Sequence, residues 1–141
     1  MRIVLATALL IAAAPLAAHE GHDRNQLPAL PAGSNERLRA PLQAAPELEV
    51  IVSDVIIGPN QQVARHYHPG EEFLYLIEGS AVHVEEGKAD RPLKPGDAVV
   101  IPPRAVHAPK AGPSGARAIV FRVHLKGQPE RIPVPAAAAG E

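Results

Sequence analysis

Between Gly58 and Gly79 the chain reads GPNQQVARHYHPGEEFLYLIEG, with His66-Tyr67-His68-Pro69-Gly70-Glu71-Glu72 at its centre. Side chains on a strand point alternately to opposite faces, so His66 and His68 share one side and Tyr67 takes the other. Pro69-Gly70 is a turn signal that lets the chain fold back and carry Glu72 towards the two imidazoles. Beyond the turn the alternation continues, with Glu72, Leu74 and Leu76 on one face and Phe73, Tyr75 and Ile77 on the other. The Glu72 face becomes aliphatic below the polar cluster, as suits a β-barrel with a site at its mouth and a packed floor.

Two imidazoles and a carboxylate suit one divalent ion of the Fe, Mn, Ni, Co or Zn type. A further ligand is expected from another strand or loop, and His107 is placed for it, following Pro102-Pro103 in IPPRAVHAP. Four protein ligands on a six-coordinate ion leave two positions for water, dioxygen or a bidentate oxygen-rich molecule.

Outward from this centre, short β-like runs end at turn residues. Leu48 to Ile57 (LEVIVSDVII) stops at Gly58-Pro59-Asn60, and Gln62 to His68 at Pro69-Gly70. Glu72 to Ile77 stops at Glu78-Gly79, and Ala81 to Glu85 at Glu86-Gly87-Lys88. Ala98 to Ile101 meets Pro102-Pro103, and Ala116 to Leu125 runs out before Gly127. Many short strands separated by Gly, Pro and Asn describe an all-β sandwich or barrel. No long amphipathic pattern and no solenoid repeat is present.

The first 18 residues, MRIVLATALLIAAAPLAA, have one early positive charge, an apolar run broken at Pro15 and a small-residue ending. This is the layout of a secretory signal peptide, and the apolar run is shorter than the ~20 residues of a membrane span. The expected organisation is a signal peptide over 1–18, a flexible arm over 19–36, one barrel domain over 37–127 and a Pro/Ala-rich tail over 128–141. In the arm, His19, Glu20, His22 and Asp23 read as solvated residues with at most weak metal affinity. The mature chain is expected outside the cytoplasm, in the periplasm of a Gram-negative source, with no membrane association once the signal is removed.

The chain contains no cysteine, which excludes thiolate metal sites and cysteine nucleophiles. Fourteen basic residues against fifteen acidic ones leave no basic footprint for nucleic acid. Tyr67, Phe73, Tyr75 and Phe121 are too few aromatics for a base-stacking groove. A small molecule or a metal is the expected partner.

With these residues in view, Gly58 to Gly79 resembles the first signature motif of the cupin superfamily: glycine, His-x-His, a short gap, Glu, and a closing Gly. His66 through Glu72 to Gly79 is in register, although the gap after Gly58 is longer than usual. Gly96 to Ala111 (GDAVVIPPRAVHAPKA) resembles the second motif, matched at Gly96, Pro102 and His107. Arg104 stands where the family has Gly, and Ala111 where it has Asn, departures that bear on loop shape more than on the ligand set. The spacer Ser80 to Pro95 is short, as in small bacterial members, and the resemblance spans about Leu38 to Lys126. It implies a small antiparallel, jelly-roll-like barrel, commonly a homodimer, holding a metal with His66, His68, Glu72 and His107.

Other polar residues are assigned elsewhere. His83 is expected to be an exposed strand residue opposite Val82 and Val84. His124 is expected outside, with Ile119, Phe121, Val123 and Leu125 forming the core face. Arg65 and Arg104 adjoin the ligands and are candidates to steer a carboxylate, while Gln62 shares the parity of His66. Two function classes follow. The leading one is a metal-dependent enzyme of dioxygenase, decarboxylase or isomerase type acting on a small oxygen-rich molecule, with Glu72 as ligand or base. The alternative is a non-catalytic module that binds a small ligand or metal.

Overall fold

A computed structural model describes residues 27–135. The leader over 1–18 and the group His19, Glu20, His22 and Asp23 lie outside the described residues. Among the described residues there is no helix; the eight strands are β1 (Gly33–Pro41), β2 (Leu48–Ile57), β3 (His66–Tyr67), β4 (Glu71–His83), β5 (Arg91–Leu93), β6 (Ala98–Ile101), β7 (Lys110–Leu125) and β8 (Ile132–Pro133). Six of them form an antiparallel sheet ordered β1-β2-β7-β4-β5, with β6 also paired to β4, and β3 pairs with β8. The expected all-β antiparallel fold is what the chain adopts.

Two boundaries differ from the sequence reading. β1 starts at Gly33, inside the segment read as a flexible arm, and pairs along β2 from Gly33↔Ile56 to Pro41↔Glu49. β8 lies inside the segment read as a tail and pairs with β3 at His66↔Pro133 and Tyr67↔Ile132. The first segment has few apolar residues and the second is broken up by prolines, so hydrophobic periodicity gave no sign of either strand. They are held instead by backbone pairing to strands that are already ordered.

The core forms on the inward face of β4 and β7, where Leu76, Ala116, Ala118 and Val120 are buried with Val99 and Ile101 of β6. Alternation along β4 runs as expected from Glu72 to Leu76. The register then slips between Leu76 and Glu78, inserting one extra residue against β7. Such a bulge exchanges the inward and outward sets, so Ala81 and His83 now face in. Gly79, which closes the first motif, has φ +73°, and a Cβ there would sit 2.1 Å from the Gly115 carbonyl oxygen. Only glycine accommodates both the left-handed backbone and that close approach.

Prolines set two tight turns near the site. In Gly58-Pro59-Asn60-Gln61 the Gln61 amide donates to the Gly58 carbonyl, with Asn60 at φ 57°. In Pro102-Pro103-Arg104-Ala105 the Ala105 amide donates to the Pro102 carbonyl, with Arg104 at φ 65°. Proline followed by a left-handed residue is the type II pattern, which favours Gly or Asn at the second central position. The turn therefore keeps the shape that a glycine would take, at a backbone cost of about 1–2 kcal/mol for a residue bearing a Cβ. Arg104 offsets this by donating its amide to the His68 carbonyl at 2.9 Å and placing its guanidinium 5.5 Å from the Tyr67 ring centre. Arg104→Gly and Arg104→Ala both lose the ring contact, but only Gly relieves the backbone. The Gly variant is expected to be about 1 kcal/mol more stable than the Ala variant in urea unfolding; equal midpoints would contradict the strain.

Candidate metal centre

His66 and His68 flank the start of the Pro69-Gly70 turn, and the 105–112 segment runs alongside them. His66 and His107 exchange backbone hydrogen bonds of 3.1 and 2.9 Å, which fixes the two loops against each other. All three imidazoles are buried, and their ligand nitrogens lie within 4.8 Å of one another. The spacing read from the sequence thus brings His66, His68 and His107 together.

Each ring is oriented by its other nitrogen. His66 Nδ1 donates to the Ala64 carbonyl at 2.7 Å, His107 Nδ1 to the Ala105 carbonyl at 3.0 Å, and His68 Nδ1 to the Glu130 carbonyl at 2.5 Å. A carbonyl on Nδ1–H sets the tautomer that leaves the Nε2 lone pair free, the usual arrangement behind a metal-binding histidine. Burial is the main cause that pushes His66 down to about 4 and lowers His107 as well. Both rings are therefore neutral and ready to coordinate at pH 7.

Glu72 stands beside this triad. Its Oε2 lies 2.9 Å from His68 Nε2, and its Oε1 lies 3.9 Å from His107 Nε2. Apart from this close contact with Glu72, His68 Nε2 is buried and has no hydrogen-bond partner among the described residues. Such an orphan is costly in a protein interior, and a metal ion shared with the neighbouring imidazoles would satisfy it. The donor set and the orphaned nitrogen both fit a divalent ion. Burial would raise the Glu72 carboxyl, but the adjacent His68, the Arg122 guanidinium and His107 together outweigh it and hold it at about 2.

Several residues were misplaced by the sequence reading. Arg122 is opposite Glu72 across β4 and β7, and its Nε donates to Glu72 Oε2 at 2.7 Å. The face of β7 taken as exterior is the interior: Val120, Arg122 and His124 are buried, while Phe121 and Leu125 are 44% and 55% exposed. His124 is therefore inside, with Nδ1 donating to the Leu125 carbonyl and Nε2 without a partner among the described residues. His83 is also buried rather than exposed, because of the β4 bulge; its Nε2 donates to Glu85 at 3.1 Å, and its ring is centred 5.8 Å from that of His107. Arg65 turns outward to Glu86 at 3.0 Å and Arg104 lies over Tyr67, so neither lines the cavity. Gln62 does line it, and donates to the Ala108 carbonyl.

The cavity beneath the triad has a volume of about 300 Å³. His66, Glu72 and His107 border it above, Leu74, Leu76 and Val120 line its aliphatic wall, and Arg122 and Glu130 lie to one side. Glu130 comes from the segment read as a tail. Its backbone orients His68, and its Oε1 accepts from Arg122 at 2.6 Å and from Ser34 at 2.8 Å. No motif marks it, since it acts at the site through a carbonyl and through an ion pair with a residue eight positions earlier.

Comparison with known proteins agrees with this geometry. A family described as the cupin domain matches residues 53–123. Over 70 residues the chain is 38% identical to a 3-hydroxyanthranilate 3,4-dioxygenase of Burkholderia lata, covering 48% of this chain and 40% of that one. The chain thus spans less than half the length of that relative. Among solved structures, it is similar to a cupin-like protein from Thermotoga maritima at 29% identity and a TM-score of 0.53, covering 64% of this chain and 68% of that one. It is also similar to a DMSP lyase from Ruegeria pomeroyi at 25% identity and a TM-score of 0.52, covering 76% and 54% respectively.

Proposed function

The chain belongs to the cupin family, and from that premise we propose that it is a mononuclear metal enzyme acting on a small oxygen-rich molecule, with a dioxygenase-type reaction foremost. The observation that carries this reading is the orphaned Nε2 of His68, buried among two imidazoles and a carboxylate. His66, His68 and His107 would hold the ion, with Glu72 as the fourth ligand. The likeness to a dioxygenase across 48% of the chain supports oxygenation over decarboxylation or isomerisation.

A bound divalent ion would supply Lewis acidity and, for a redox-active metal, access to dioxygen. The remaining work falls to this chain's own side chains. Arg122 keeps Glu72 ionised and fixes Oε2, leaving Oε1 with no hydrogen-bond donor among the described residues. Oε1 is the atom available to complete the ligand set or to accept a substrate proton. Leu74, Leu76 and Val120 give the substrate a dry wall. The apolar leader supports export, and the outward row of Phe73, Val100 and Phe121, paired strand to strand, supports a homodimer.

The test is elemental analysis of the purified chain, then dioxygen uptake by the metal-loaded protein with catechols, enols and small acids. Glu72→Ala is expected to lower turnover by at least ~100-fold. Unchanged turnover would remove Glu72 from the chemistry. A ligand recovered intact under aerobic and anaerobic conditions would make the protein a binding module instead.

A further inference from the structure

We infer that the cavity selects small carboxylates, with Arg122 as the anion anchor and the Glu130 side chain as a built-in stand-in that an incoming carboxylate displaces. This assigns a substrate class to the site proposed above and rests on that reading for the metal alone.

Arg122 is 5% exposed and borders the cavity. It serves two carboxylates of different standing. Nε donates to Glu72 Oε2 at 2.7 Å, and Nη1 donates to Glu130 Oε1 at 2.6 Å and to Ser53 Oγ at 3.3 Å. Nη2 has no acceptor among the described residues. Glu72 is buried on β4 and has nowhere to go. Glu130 lines the cavity with a side chain 29% exposed, on the segment between β7 and β8.

The attachments of Glu130 divide the same way. Its backbone is secured by the His68 hydrogen bond and by the adjoining β8 pairing. Among the described residues its side chain is held only by Arg122 and Ser34. The carboxylate can therefore rotate towards solvent without disturbing the carbonyl that orients His68. A ligand carboxylate entering its place would meet Nη1 and the unused Nη2, the planar fork that suits two-point carboxylate recognition.

Charge determines which ligands can make this exchange. With a divalent ion in place, Glu72, Glu130 and Arg122 leave the cavity at a net charge of about +1 with neutral imidazoles. Replacing Glu130 by another carboxylate preserves that balance and keeps Arg122 paired. A neutral ligand that expelled Glu130 would leave a buried guanidinium with one partner fewer, which is strongly unfavourable. The site thus discriminates against uncharged analogues of the same shape.

Benzoate and benzamide, matched in size and differing in charge, provide the test by isothermal titration calorimetry on the full chain loaded with Zn(II), its content checked by elemental analysis. The native chain is expected to bind benzoate at least about tenfold more tightly than benzamide. Glu130→Gln, a change at a partly exposed side chain, is expected to tighten benzoate about fivefold and leave benzamide within about twofold. Arg122→Lys in the Glu130→Gln background should remove that gain, since an ammonium lacks the fork. Equal affinities for acid and amide, no binding of either, or a Glu130→Gln effect shared by both ligands would overturn the inference. A chain that takes up no zinc sinks the metal reading instead. The same titrations on the metal-free chain then still report whether Glu130→Gln favours the acid alone.

Discussion

Replacing His107 with alanine is expected to lower the affinity for Zn(II) by at least ~100-fold, beyond the 10–100-fold usual for residues that merely orient a ligand. Its imidazole nitrogen lies within 4.8 Å of those of His66 and His68, and two imidazoles with a carboxylate form a poorer site than three. His124→Ala is the matched control, because His124 is equally buried but stands outside the cluster. Competition with a chelator of known affinity measures both. Equal losses in the two variants would mean that the triad is not the metal site.

Protons should compete with the metal for the same nitrogens. Burial holds His66 at about 4 in the fold, against an ordinary value near 6.5. Between those limits the unfolded chain binds a proton that the folded chain refuses, so this residue's contribution to stability is complete above pH 6.5 and falls away as pH drops towards 4. Metal ligands must be deprotonated, so occupancy is expected to persist below pH 6 and to be lost on approaching pH 4. Metal release already half complete at pH 6.5 would contradict the burial of the triad.

The cluster of three histidines, with Glu72 beside it, was legible because each of its parts has local meaning. A two-residue spacing puts His66 and His68 on one face, Pro69-Gly70 returns the chain to Glu72, and Pro102-Pro103 marks the loop before His107. What lay beyond reach depended on which face of a strand is inside. On β7 the apolar set Ile119, Phe121, Val123 and Leu125 looked like core, but the interior here holds a polar site, so Arg122 and His124 turn in. His83 was misread because Val82 and Val84 looked like the inward side of a separate short run; β4 in fact continues through it, and the residue inserted between Leu76 and Glu78 turns His83 inward. Glu130 carried no local signal, since its two bonds to the site depend on where the chain passes after β7.

Arg122→Met is expected to destabilise the metal-free protein by about 3–5 kcal/mol, the usual cost of removing one partner from a buried ion pair. Arg122 and Glu72 have side chains 6% and 5% exposed and bond at 2.7 Å. Methionine fills most of the volume, so the loss is electrostatic: Glu72 is left charged, dehydrated and without its cation. Two signatures separate this from a packing defect. In the first, Glu72→Gln introduced into the Arg122→Met chain recovers about half of the lost stability, because it removes the stranded charge. The second is pH. In the native chain Glu72 is held at about 2 against an ordinary 4.5, so its contribution is intact above pH 4.5 and disappears only as pH falls through 2. Without Arg122 the folded-state value rises and burial favours the protonated acid, so the variant's deficit is greatest near pH 7 and narrows as pH falls towards 5. Urea unfolding at pH 5 and 7 reads that difference, and a deficit independent of pH would show that the guanidinium supports the core by its bulk rather than by its charge.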